Sequence, residues 1–164
     1  MISGDVATAI GATKSQYFYG LDTKRWDLVR SVFSDTARFE GFPFPVENAD
    51  VFTKEVSEFL EGAQTIHQGF MPVFRLIDSG RVRARWTMYD YLIWHDSREY
   101  KGHLIPGQYG LRGYGYYEEE YISTDGSVWL IDYMRLSRVR IDPLVSHPVP
   151  SPQYDVAQPN PEWI

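Results

Sequence analysis

The sequence predicts an α+β fold, a cone-shaped α+β barrel in which three N-terminal helices pack on a strongly curved antiparallel sheet. Two observations carry the prediction. Apolar residues recur with helical spacing as far as Leu60, and beyond it the period changes to 2 over four long segments. Gly-bearing turns, Asp78-Ser79-Gly80 and Thr124-Asp125-Gly126-Ser127, punctuate those segments as hairpins. Long hairpin strands twist and curl, so helices that precede them can cover the concave face and leave one end open.

Ile10, Lys14, Tyr17 and Leu21 share one face of a helix running from about Asp5 to Leu21. Asp22 or Thr23 is placed to cap a second helix, Lys24 to Phe33, whose stripe is Trp26, Val29, Val32 and Phe33. Thr36–Glu40 reads as a short strand, and Gly41-Phe42-Pro43-Phe44-Pro45 as a loop with rings to cover something. Asn48 caps a third helix ending at Leu60, with Gly62 beyond it. The long strands are Thr65–Asp78, Arg81–His95, Tyr109–Ser123 and Val128–Ile141. Gly110, Gly113 and Gly115 mark bends or bulges in the third of these. Residues 1–142 form the domain. Residues 143–164, with proline at 143, 148, 150, 152, 159 and 161, form a tail unsuited to a regular ladder.

Composition narrows the function. The 164 residues carry a net charge of −6 and no clustered Lys/Arg, which argues against nucleic acid as a partner. No cysteine is present, so thiolate catalysis, disulfides and cysteine-based zinc sites are excluded. No stretch approaches the ~18 apolar residues of a membrane span. The first residues lack a basic segment followed by an apolar one, and a cytoplasmic protein is expected. Twelve Tyr and five Trp are available to line a pocket with flat rings and polar handles.

Asp90 is the most telling position. One face of its strand reads Val82, Ala84, Trp86, Met88, Asp90, Leu92, Trp94, apolar except for one carboxylate. A carboxylate there must be paired, protonated or used. His67 lies twelve residues before Ser79 and Asp90 eleven after it, which sets the two nearly opposite across the hairpin. A carboxylate beside an imidazole orients it for general-base work. Tyr17 and Asp22 stand at the end of the first helix. Arg138 and Arg140 share a face of the last strand with Asp132, Met134 and Leu136, where one of them can anchor an oxyanion or pair with Asp90. Tyr19, Trp86, Met88, Phe42 and Phe44 are candidate substrate contacts, and His103 is a candidate lid acid. Glu118-Glu119-Glu120 reads as a solvated run and His95 as exposed. No metal-ligand spacing, phosphate loop or dinucleotide fingerprint occurs, so neither metal nor cofactor is expected.

The segments Tyr17–Val29, Phe33–Phe39, Thr65–Gly69, Trp86–Trp94, Gly115–Glu118 and Trp129–Ile131 together resemble the SnoaL-like family of the nuclear transport factor 2-like superfamily. The resemblance spans roughly residues 5–142 and is nearest in pattern to lyases of the bile acid 7-alpha-dehydratase and scytalone dehydratase types. It implies a catalytic set of Tyr17, Asp22, His67 and a polar partner, Asp90, with Arg138 in place of the arginine near the end of that fold. Where scytalone dehydratase has a second histidine, this chain has Asp90.

The function expected is a cofactor-independent lyase acting on a small hydrophobic, aromatic or polycyclic hydroxylated compound. His67, oriented by Asp90 or by Asp22, removes a proton, while Tyr17 and Arg138 hold developing negative charge. Dehydration comes first, with retro-aldol cleavage releasing a small aldehyde, as in diarylpropane lyases, beside it. The rival readings are an isomerase, a polyketide cyclase, or a non-catalytic ligand-binding or oxygenase beta-type subunit. Tyr89, Tyr91 and Ile93 on the convex face predict a homodimer or homotrimer.

Overall fold

The computed structural model describes residues 2–96, 99–101, 103–104, 109–123, 125–146 and 160. Ser3 opens α1 (Gly4–Thr23) by accepting from the Val6 amide. The α1 chain end turns at Lys24, which adopts a left-handed conformation. Neither Asp22 nor Thr23 caps α2 (Trp26–Ser31). Its N-cap is Arg25, with no side-chain cap, and Asp22 remains within α1 with its carboxylate turned elsewhere. Gly20 lets the two helices touch, since a Cβ there would lie 2.8 Å from Val29 Cγ2. After β1 (Phe33–Glu40), Asn48 caps α3 (Ala49–Phe59) through the Val51 amide, as its residue type predicts.

The sheet follows as β2 (Ala63–Asp78), β3 (Arg81–Trp94), β6 (Gly110–Ile122) and β7 (Leu130–Pro143), with a small hairpin of β4 (Glu99–Tyr100) and β5 (His103–Leu104) between β3 and β6. Its order is β1-β7-β6-β3-β2. The four long strands are antiparallel, as expected, but β1 joins β7 in parallel, so the sheet is mixed. The reason is connectivity: α3 lies between β1 and the hairpins and returns the chain to the far edge. The sheet is curved and does not close.

Alternation on β3 is as the sequence implies. Val82, Ala84, Trp86, Met88, Asp90 and Leu92 are buried, while Arg83, Arg85 and Thr87 are exposed. Pro143 does not end the ladder: the Leu144 amide still donates to the Gly110 carbonyl at 2.8 Å, because proline removes only its own donor. Most of the predicted tail lies outside the described residues.

Two departures matter for the site. In β7 the pairing slips between Tyr114↔Arg140 and Gly115↔Arg138, leaving Val139 as a bulge. Arg138 therefore stays on the inner face with Met134 and Leu136, and Arg140 turns out to pair with Asp142. In Glu118-Glu119-Glu120, only the spacing is surface-like. Glu119 is fully buried, Glu120 pairs with Arg81 and Arg83, and Glu118 pairs with Arg85.

Candidate active site

A cavity of about 450 Å³ opens between the helices and the end of the sheet that carries Asp90 and Leu92. Most of its wall is apolar, from Leu21, Val56, Leu60, Leu92, Leu111 and Leu136. One wall is polar and brings together Tyr17, His67, Asp90, Tyr117 and Arg138. The α1 stripe supplies Tyr17, β2 supplies His67, β3 supplies Asp90, and β6 and β7 supply Tyr117 and Arg138. Convergence from five elements is what the curvature of the sheet provides.

His67 and Asp90 are direct cross-strand partners. Their side chains nonetheless serve different partners. His67 Nδ1 lies 2.6 Å from Asp22 Oδ1, and the His67 amide donates to Asp22 Oδ2 at 2.9 Å. Thr65 Oγ1 donates to Asp22 Oδ1 and accepts from Lys24 Nζ, both at 2.8 Å. Burial lowers Lys24 to about 8, opposed by the nearby Asp22 carboxylate. Since an ionised carboxylate only accepts, Nδ1 carries the proton and Nε2 is left with a lone pair for a ligand. The cap position foregone at α2 is thus the residue that fixes the imidazole.

Asp90, 2% exposed, takes a bidentate pair from Arg138: Nη1 to Oδ1 at 2.9 Å and Nη2 to Oδ2 at 2.6 Å. This answers how a carboxylate sits on an apolar face. It also corrects the expectation that Asp90 orients His67, because both of its oxygens are committed to the fork. Burial lowers Arg138, but the Asp90 hydrogen bonds and charge outweigh it, so the guanidinium is held charged.

Gly113 makes room for the pair. It lies opposite Asp90 on β6, and a Cβ there would fall 1.8 Å from Arg138 Nη1 and 1.9 Å from Asp90 Oδ1. Its role is space for two side chains and not the strand bend its sequence position suggested.

Tyr17 and Tyr117 meet edge-to-face, with centroids 6.0 Å apart. Burial, above all, pushes both phenols well above their ordinary value, and the Asp90 carboxylate adds to the shift. Both therefore stay protonated and able to donate. Tyr117 was not singled out from the sequence. Its signal was period-2 alignment with Gly113, Gly115 and Glu119 on the inner face.

Aromatic residues frame the mouth. Phe42 and Phe44 line it, stacked at 6.1 Å, and Phe59 and Tyr100 close around Phe44. Glu55 of α3 accepts from the Tyr100 hydroxyl at 2.5 Å and pairs with Lys101, tying the β4–β5 hairpin to the helix. Burial and the Glu55 contact push the Tyr100 phenol up to about 12.

Three predicted contacts fall outside the cavity. Trp86 and Met88 are buried nearer the closed end of β3, where Phe18 packs over Gly69 and α1 seals the sheet. Tyr19 is two residues from Tyr17, roughly half a helical turn away, and is half-buried elsewhere. His103 pairs with Tyr100 in the hairpin, and its side chain lies outside the described residues. His95 is exposed, near Asp96. Among the described residues, no group of three or more His, Asp or Glu is placed to hold a metal.

The SnoaL-like domain model matches residues 5–135. The chain belongs to the SnoaL-like family, within the nuclear transport factor 2-like superfamily. Solved structures with the same fold include the hexachlorocyclohexane dehydrochlorinase LinA type 2, at 16% identity and TM-score 0.73, with 90% of this chain and 95% of that one covered. A scytalone dehydratase-like protein of Novosphingobium aromaticivorans matches at 16% identity and TM-score 0.70, covering 96% and 93%. LinA type 3 of Novosphingobium barchaimii matches at 19% identity and TM-score 0.69, covering 88% and 94%. At these identities the likeness shows a shared fold.

Proposed function

We propose that this protein is a lyase that eliminates a small neutral molecule from a hydroxylated aromatic or polycyclic compound, using His67 as base. The observation that carries the reading is His67, held by Asp22 from behind and set in the polar wall of a largely apolar cavity. An apolar cavity of about 450 Å³ suits a ring system, and the polar wall suits one oxygenated end. His67 Nε2 accepts a proton from the carbon next to the leaving hydroxyl, and Asp22 stabilises the imidazolium that forms. Tyr17, Tyr117 and Arg138 face the oxygen on which negative charge grows. The carbon–oxygen bond breaks, and the proton held by His67 leaves with the hydroxyl as water, restoring the dyad.

The same groups support retro-aldol cleavage. His67 then takes the proton of a side-chain hydroxyl, the carbon–carbon bond breaks, and an aldehyde is released while the phenol ring carries the electron pair. The proton returns to carbon. Isomerisation would differ only in where that proton is replaced. The names of the dehydrochlorinase and dehydratase neighbours, both eliminations, favour elimination first.

The test is a screen of hydroxylated aromatics for water loss and for formaldehyde release, run beside His67→Gln. Turnover that depends on His67 and on Asp22 supports the reading. Turnover that survives His67→Gln overturns it, as does ligand binding without any turnover.

We also propose a homodimer or homotrimer. Tyr89 and Tyr91 are half-buried and Ile93 is buried within the chain, so the apolar surface available is the outer face of β2, with Ile66, Phe70 and Val73 exposed. Light scattering that reports a monomer contradicts this.

A further inference from the structure

The proposed reaction leaves one buried ion pair unused. Lys14, 1% exposed on α1, places Nζ 2.5 Å from Glu119 Oε1, and the Tyr121 hydroxyl donates to Glu119 Oε2 at 2.5 Å. The same ammonium sits 3.6 Å from the ring centroid of Tyr117, 4.4 Å from that of Tyr17 and 4.5 Å from that of Phe18. Two of these rings belong to the cavity phenols. Taking two charges out of water is costly, and well-packed apolar residues often serve stability as well or better. The pair therefore calls for a role other than holding the core together.

We propose that Lys14, held by Glu119, is a positioning residue for Tyr17 and Tyr117, fixing both rings and favouring negative charge on their side of the cavity. The catalytic consequence rests on the reading given under Proposed function. The positive end of the pair lies against the ring faces, and Glu119 is turned to Tyr121. A phenol that donates strongly to an anion becomes richer in ring electrons, which strengthens its attraction to a cation beneath it.

The groups facing Lys14 are Glu119, Tyr117 and Tyr121 from β6 and Tyr17 from its own helix. Asp90 acts on both phenols from the cavity side, and Arg138 acts on Tyr117. Burial lowers Lys14 to about 8, opposed by the charge and hydrogen bond of Glu119.

The test uses protein carrying ¹³Cζ-labelled tyrosine, titrated through pH 8. The Tyr17 and Tyr117 signals shift together as Lys14 loses its proton. The step persists in His67→Gln and is absent in the double variant K14M/E119Q, which keeps the volume and removes both charges. 4-Nitrophenol, yellow only when ionised, is the probe for the cavity. Its ionised bound fraction falls about threefold in the double variant, the scale of a cation–π contact.

Tyr17 and Tyr117 signals that stay flat while Lys14 titrates overturn the proposal. So does a double variant with unchanged ring signals and an unchanged ionised fraction. The wild-type titration needs no variant, so it decides the matter even if the double variant fails to fold. Failure of 4-nitrophenol to bind wild-type protein would count against the oxyanion site proposed above, a separate outcome from the ring titration.

Discussion

Asp22, on α1, binds His67, while Asp90, the cross-strand partner of His67, binds Arg138, and the two carboxylates do opposite things. Asp22 meets His67, an imidazole whose second nitrogen is left for a ligand, at a site where Asp22 is still part-exposed. Asp90 meets Arg138, a group that stays charged, and is itself buried beneath it. The first pair can move a proton and the second can only present charge. Partner type, more than the carboxylate itself, sets whether each pair moves a proton or presents a fixed charge.

The largest effect expected is on turnover. His67→Gln should lower kcat by about 10²–10⁴-fold, the range of a lost general base, with the thermal midpoint little changed. Asp22→Asn should follow it in direction, since the amide no longer holds the imidazole as a carboxylate does. Steady-state kinetics beside a melting curve checks both.

Loss of the second pair should be felt in stability as well as in turnover. Arg138→Met leaves Asp90 as a buried charge without its partner and should cost about 3–5 kcal/mol by chemical denaturation. Gly113→Ala should cost about 1–3 kcal/mol, because the new methyl would displace both members of that pair. A neutral outcome at Gly113 would mean that the pair is not held as described.

A smaller effect concerns pH. Tyr17, Tyr117 and Tyr121 are raised by burial, so above about pH 10 the folded chain keeps protons that the unfolded chain has released. Stability from these groups is present below pH 10 and lost as pH rises beyond it. Tyr117→Phe should flatten that alkaline fall in a denaturation series across pH.

Much of this arrangement was legible in the sequence. Helix starts were written in caps such as Asn48, and the hairpin arithmetic around Ser79 set His67 opposite Asp90, which is where they stand. What was not legible was which partner each side chain would choose. Asp22 read as a helix cap because local sequence offers it that use. Only the approach of Thr65 and His67 from a strand forty-odd residues away gives it a better one. Arg138 and Arg140 looked alike until the Val139 bulge sent them to different faces. The bulge shifts the inward phase from Leu136 and Arg138 to Ile141, a change too near the end of the strand to stand out in the sequence.

Lys14 offers the sharper lesson. It stood in the inward stripe with Ile10, Tyr17 and Leu21, as anomalous on its helix as Asp90 on its strand, and its partner lay inside an acidic run that reads as surface. Helical and strand periods taken together would have singled out both residues.

The central claim is that His67 is held by Asp22 with Nε2 free to accept a proton. Nitrogen NMR of the histidine ring tests it most directly, because the two tautomers give distinct shifts for protonated and unprotonated nitrogen. The wild-type protein should show neutral His67 with the proton on Nδ1, and Asp22→Asn should disturb that preference. A His67 that carries its proton on Nε2, or whose tautomer is indifferent to Asp22→Asn, would contradict the account.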